Sequence, residues 1–121
     1  MTYEDYNQFC SSLPATTHVV QWGGSHVWKV GGKVFAIGGW GDDGRVGITF
    51  KVSEIAYEVL KNQAGLRPAP YLASRGMKWI QHFEDPGLSD LELKEYITIS
   101  HQIVAKGLAK KKQRELGFLQ D

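Results

Sequence analysis

Acid–base, nucleophilic or metal chemistry in this chain would have to be built from His18, His26, His82, His101, the single Cys10 and the pairs Ser25-His26 and Ser100-His101. No two histidines sit at the helical i, i+4 spacing that brings two imidazoles to one metal. His18 and His26 could converge across a hairpin, but a zinc site would need more ligands. Adjacent serine and histidine carry little weight, because triads assemble in space rather than along the chain. Ser100 is better explained as a small residue at a helix–sheet contact. A lone cysteine can make neither an internal disulfide nor a thiolate metal site. The carboxylate pairs Asp42-Asp43 and Glu84-Asp85 stand beside turn glycines or prolines, and turn chemistry accounts for both. Gly38-Gly39-Trp40-Gly41-Asp42-Asp43-Gly44 has the glycine content of a phosphate loop, but such a loop passes from a strand into a helix N-terminus. This one leads to another strand, and its aspartates would repel phosphate. These residues predict no enzyme, no metal and no cofactor.

One charge pattern is left. Lys106, Lys110, Lys111, Lys112 and Arg114 crowd the end of the last predicted helix, opposed nearby only by Glu115 and Asp121. The simplest reading is a solvated helix end whose cations offset the macrodipole. The functional reading is a phosphate-contacting patch, joined by Arg67, Arg75 and Lys78 from the segment before the fifth strand. The chain has 14 basic and 13 acidic residues and a net charge of +1, so a nucleic-acid partner must be held by clustering rather than by overall charge. A second surface is the wetter sheet face, where Lys29 and Arg45 project beside aromatics that could stack on bases. Trp40, at the tip of the glycine-rich loop, is either folded back onto the core or exposed for contact with another protein. Trp22, Trp28, Trp40 and Trp79 are more often core residues than stacking platforms.

The elements that must hold these residues can be read from periodicity. Thr2 caps a helix over about Tyr3–Ser12, with Tyr6, Phe9, Cys10 and Leu13 inward. Strands follow at His18–Trp22, His26–Val30, Lys33–Ile37 and Arg45–Phe50, with Gly31-Gly32 marking a tight hairpin. In the last of these Val46, Ile48 and Phe50 alternate with Arg45, Gly47 and Thr49, which predicts one buried and one wetter face. Short connections make the order an antiparallel meander. Ser53 caps a second helix to about Asn62, with Ile55, Ala56, Val59 and Leu60 inward. Arg67–Tyr71 is extended, because each proline pushes its predecessor away from helix. Lys78–Phe83 is a fifth strand. Ser89 and Glu92 form a capping box that opens the longest helix, to about Lys112 or beyond, with Leu93, Tyr96, Ile97, Ser100, Ile103, Val104, Gly107 and Leu108 buried.

A length of 121 residues bounds one domain, and 42% hydrophobic with 22% charged residues is ordinary globular composition. The N-terminal segment Met1-Thr2-Tyr3-Glu4-Asp5 has acids where a secretory signal carries bases and an apolar run. No apolar stretch approaches the roughly 20 residues that span a bilayer. The expectation is a cytoplasmic protein away from the membrane, monomeric by default.

The Lys29–Ala36 hairpin, Thr49-Phe50-Lys51-Val52 leading into the second helix, Arg67-Pro68-Ala69-Pro70-Tyr71, Trp79 and Ser100…Leu108 followed by lysines occur here in an order and spacing that resemble the MmcQ/YjbR family. The resemblance covers most of the chain. It implies an α+β, frataxin-like (CyaY-like) fold, an antiparallel sheet of about five or six strands with helices packed on one face. It also implies a DNA-binding protein and supplies no catalytic residues; the alternative expectations are a protein-interaction module or a small-molecule binding domain of unknown ligand. Two positions depart from the family pattern: His101, where tyrosine often follows the serine, and Ala109, where proline often precedes the lysines. The second departure predicts that the helix runs on and carries Lys110–Lys112 outward. The frataxin likeness also raises iron, but an iron surface needs an acidic ridge of oxygen ligands, and the first helix offers only Glu4 and Asp5.

Overall fold

Thr2, Ser53 and Ser89 each turn a side-chain oxygen onto a backbone N–H three residues ahead, and each starts a helix. Thr2 with Asp5 and Ser89 with Glu92 complete capping boxes, both carboxylates accepting from the backbone N–H of the cap. The computed structural model describes residues 1–39 and 47–119. Its helices are α1 (Tyr3–Ser12), α2 (Glu54–Leu60), α3 (Asp90–Lys106) and α4 (Lys110–Glu115), with a 3₁₀ turn at Ala73–Arg75. The strands are β1 (Thr16–Gln21), β2 (Ser25–Val30), β3 (Lys33–Gly38), β4 (Ile48–Lys51), β5 (Leu66–Pro68) and β6 (Trp79–His82). They form one antiparallel sheet in the order β1-β2-β3-β4-β6-β5. Gly31 and Gly32 have φ of 58° and 84°, the left-handed pair that a two-residue hairpin turn requires.

The register sorts the sheet into two faces, because directly paired residues project to the same side. One row runs His18, Trp28, Ala36, Phe50, Ile80 and Pro68. This face carries the core, where Trp28, Ala36, Phe50 and Ile80 meet Tyr6 and Cys10 of α1 and Leu93, Ile97 and Val104 of α3. A Cβ at Gly38 would lie 2.6 Å from the Tyr6 ring, so the glycine is what lets α1 approach β3. The Tyr6 hydroxyl then donates to the His26 carbonyl at 2.9 Å.

The opposite face is drier than its alternation predicts. Val19, Val27, Ile37, Thr49, Gln81 and Arg67 line up across it, and Val27, Ile37, Thr49 and Gln81 are all buried. Thr49 is not a wet position. Its hydroxyl accepts from Gln81 Nε2 at 3.1 Å, which satisfies both buried groups.

Two helices depart from their predicted course. In α2 it is Tyr57 and Leu60 that are buried, while Ile55 and Val59 are 80% and 60% exposed. Both stripes are apolar, and the one carrying the aromatic ring is chosen. The third helix ends at Lys106 instead of running through Lys112. Ala109 is extended, with φ −55° and ψ 144°, and a separate helix α4 begins at Lys110. The reason is burial: Leu108 turns in to pack on the Gly31 backbone, where a Cβ would lie 2.6 Å from its Cδ1 and 3.1 Å from that of Leu116. Gly107, a poor helix former, permits the break. No helix among the described residues is long and apolar enough to cross a membrane.

Candidate nucleic-acid interface

The break after α3 changes what the lysines mean. At the end of one long helix they would offset its dipole, but Lys110, Lys111 and Lys112 form the first turn of α4, with no acid among them and no side-chain cap at Ala109. Cations at that end are disfavoured by the aligned peptide dipoles, weakly in so short a helix. The macrodipole therefore accounts for Lys106 in the last turn of α3 and for Lys112 and Arg114 in the last turn of α4, but not for Lys110 and Lys111. Every residue of α4 is at least partly exposed, and Lys110, Lys111 and Lys112 are exposed, as is Lys106 at the end of α3. The corner that presents them is fixed by Gln113, whose side-chain amide donates to the carbonyls of Lys106 at 3.2 Å and Leu108 at 2.7 Å. Sequence reading missed this role, since a lone glutamine in a basic run gives no signal. Lys112 lies 4.0 Å from Glu115, a loose surface pair worth little.

The other basic candidates do not join that corner. Arg67 lies on the far sheet face, where its Nε and Nη2 donate to Gln81 Oε1 at 2.8 and 2.6 Å and its guanidinium sits 4.3 Å from the Phe83 ring centroid. It is a structural arginine, engaged on both its polar and its flat surface. Lys78 extends over the Tyr57 ring at 4.7 Å. Arg75 is exposed beside a groove of about 330 Å³ that Trp22, Ile37, Tyr71, Met77 and Trp79 help to line. Trp22 and Tyr71 are held at φ 53° and 68°, an uncommon conformation for aromatic residues. Lys29 is half-buried on the same sheet face as Arg67. Trp40, Arg45, the Asp42-Asp43 pair and the start of the predicted fourth strand lie outside the described residues.

The reactive candidates are occupied by structural duties. Ser100 is fully buried, donates to the Phe35 carbonyl at 2.6 Å and accepts from the Lys51 N–H at 2.9 Å. The adjacent His101 points elsewhere, with Nε2 2.8 Å from the Pro14 carbonyl, so that nitrogen must carry the proton. Its ring meets Phe35 and Phe118 edge-on. Ser25 donates to the Trp22 carbonyl. Burial pushes the Cys10 thiol up to about 12, far from a reactive thiolate. His18 Nε2 and His26 Nδ1 are 3.2 Å apart in rings tilted by only 16°, with Asn7 beside them. Their centroid separation of 5.4 Å is about the sum of that contact and two imidazole radii, so the rings meet edge to edge across a shared proton. One nitrogen donates and the other accepts, so this contact uses the lone pair that a metal would need. Among the described residues no cluster of three or more metal-binding side chains occurs.

The YjbR family model matches residues 11–103. The chain belongs to the YjbR family. The YjbR match spans the sheet and most of α3 and stops before α4, so the lysine corner lies beyond it. Among solved structures, this YjbR chain is similar to Deinococcus radiodurans protein DR2400, which carries a DUF419 domain. The TM-score is 0.81 at 23% identity, over 98% of this chain and 89% of that one. It is also similar to a Pseudomonas syringae protein with a TM-score of 0.67 at 19% identity, over 85% of this chain and 98% of the other. At these identities the likeness establishes the fold. Comparison with curated proteins finds no match.

The histidines also give this YjbR protein a predictable pH response. Burial holds His82 below the ordinary histidine pKa, and neither ring nitrogen has a hydrogen-bond partner among the other described residues. His18 is lowered as well, by burial and by the neighbouring His26. In the unfolded chain both titrate near about 6.5. Between that pH and their folded values the unfolded state binds more protons, so stability rises with pH there. Urea denaturation will show full stability above about pH 6.5 and a fall as acid is added, levelling once the folded histidines protonate. His82→Leu will flatten the fall. An equally steep fall in that variant would show that His82 is not its source.

Proposed function

We propose that this YjbR protein is a non-catalytic DNA-binding protein that holds duplex phosphates through Lys106, Lys110, Lys111 and Lys112, with Arg114 as a neighbour. The observation that carries the reading is the exposed, braced lysine corner between α3 and α4, where Lys110 and Lys111 stand at a helix start that the dipole does not favour for cations. Lysine is a flexible point charge that suits phosphate oxygens and carries no base code. Binding is therefore salt-sensitive and poor in sequence discrimination. Arg67 is not part of the contact, and Arg75 and Lys78 belong to other surfaces.

Fluorescence anisotropy of a labelled duplex at two salt concentrations, with an equal-length single strand alongside, tests this. The expected result is micromolar affinity for the duplex that collapses as salt rises. Absence of binding at low salt would remove the DNA reading. A second reading, a small organic anion with an apolar body held in the groove beside Trp22, Tyr71 and Arg75, is favoured by the left-handed conformation of both aromatics. Thermal stabilisation by such anions that is lost in Arg75→Ala would support it.

A further inference from the structure

We propose that β1 pairs with β1 of a second copy of this chain, antiparallel and about a twofold axis, so that two six-stranded sheets become one. The sheet has two edges, β1 and β5, and they are built differently. β5 has three residues, ends on Pro68, which has no N–H to offer, and carries Arg67. Short length, proline and charge are the devices that protect an edge from pairing. β1 has six residues, Thr16–Gln21, and none of these devices. It contains no lysine, arginine, aspartate, glutamate or proline, and four of its residues are β-branched. Its register with β2 is unbroken from Thr16↔Val30 to Gln21↔Ser25, while the irregularity in β2 falls on the β3 side. No bulge twists the edge away.

The exposed surface agrees. Thr17, His18, Val19 and Val20 are all exposed, and Val19 and Val20 leave 37% and 54% of their surface in solvent on opposite sides of the strand. Such an edge presents a row of backbone donors and acceptors between apolar side chains, which is a template for another strand.

The occupant follows from charge and closure. A charged peptide would find no complementary charge on β1. A second copy brings an equally uncharged edge by symmetry, and antiparallel self-pairing opposes only neutral side chains, with no like charges facing. Among the described residues each chain has one unguarded edge, so a single isologous contact covers both. The outer limits of the joined sheet are then the two β5 strands, and growth stops at the dimer. The inference is independent of DNA binding.

Sedimentation velocity of the full chain from micromolar to several hundred micromolar tests the proposal. The expected result is a monomer–dimer equilibrium without larger species. Thr17→Lys and Val19→Lys, whose side chains lie on the sheet face away from the histidine pair, should each weaken the dimer at least ~10-fold, since charge on an edge opposes pairing. Circular dichroism will establish that both variants are folded. Hydrogen exchange of the unaltered protein supplies a reading that needs no variant, because edge amides within residues 16–21 should gain protection as concentration rises. A monomer at every concentration overturns the proposal. So does a dimer that both lysine variants leave intact, one that leaves β1 amides unprotected, or an open polymer.

Discussion

Replacing Lys110, Lys111 and Lys112 together by glutamate is expected to abolish duplex binding, with an affinity loss of roughly 100-fold or more at low salt. Each substitution exchanges an attraction for a repulsion at a surface proposed to bind through phosphates. The salt dependence should weaken in parallel, by about 0.9 in the logarithmic slope for every phosphate that the variant no longer neutralises. The fold should not suffer. α4 contributes no buried residue, and glutamate in the first turn of a helix suits the dipole better than lysine does. The variant is therefore expected to melt at or slightly above the temperature of the parent while losing its ligand, a combination that general destabilisation cannot mimic. Arg67→Ala makes the opposite control, weakening the Gln81 and Phe83 contacts and leaving the DNA isotherm in place. Unchanged affinity in the triple variant would sink the lysine corner as the interface.

Ser100→Ala is expected to cost about 2–4 kcal/mol of stability, because two buried backbone groups lose their partner at once and each stranded group costs about 1–3 kcal/mol. The Ser100 hydroxyl accepts from Lys51 N–H of β4 and donates to the Phe35 carbonyl of β3, so one atom ties α3 to two strands. The side chain is fully buried. A drop in melting temperature on the order of 10 °C should accompany the loss. Chemical denaturation decides the point, and a change below about 1 kcal/mol would mean that the backbone finds other partners. DNA affinity should be unaffected, which separates this position from the lysine corner.

The two experiments address the two halves of one sequence segment. Ser100 and the lysines are read together along the chain as the serine-to-lysine stretch of a single helix. In space they are divided by the Gly107–Ala109 corner, and one half serves the core while the other faces solvent. No binding partner is needed to explain the first half. The second half has no structural explanation of comparable strength, and this contrast favours a ligand for it.

What the sequence by itself determined is what short-range chemistry decides. Thr2, Ser53 and Ser89 start helices because an N-cap is a contact within three residues, and all three are visible in one dimension. Gly31-Gly32 makes its hairpin because the turn demands positive φ at both positions, and the run β1-β2-β3-β4 follows from short connections. The family resemblance is legible for the same reason, since it rests on local pieces in order. Tertiary structure alone decided where α3 stops, because Leu108 leaves the helix to pack on a hairpin that lies far away in sequence. It chose Tyr57 over Ile55 in α2, and it buried Thr49 on the face expected to be wet. It also separated Arg67 from the lysines by binding its guanidinium to Gln81, a partner 14 residues distant. In each of these cases the sequence offers two apolar or polar arrangements of similar local merit. The choice between them is made by burial against residues that only folding brings near.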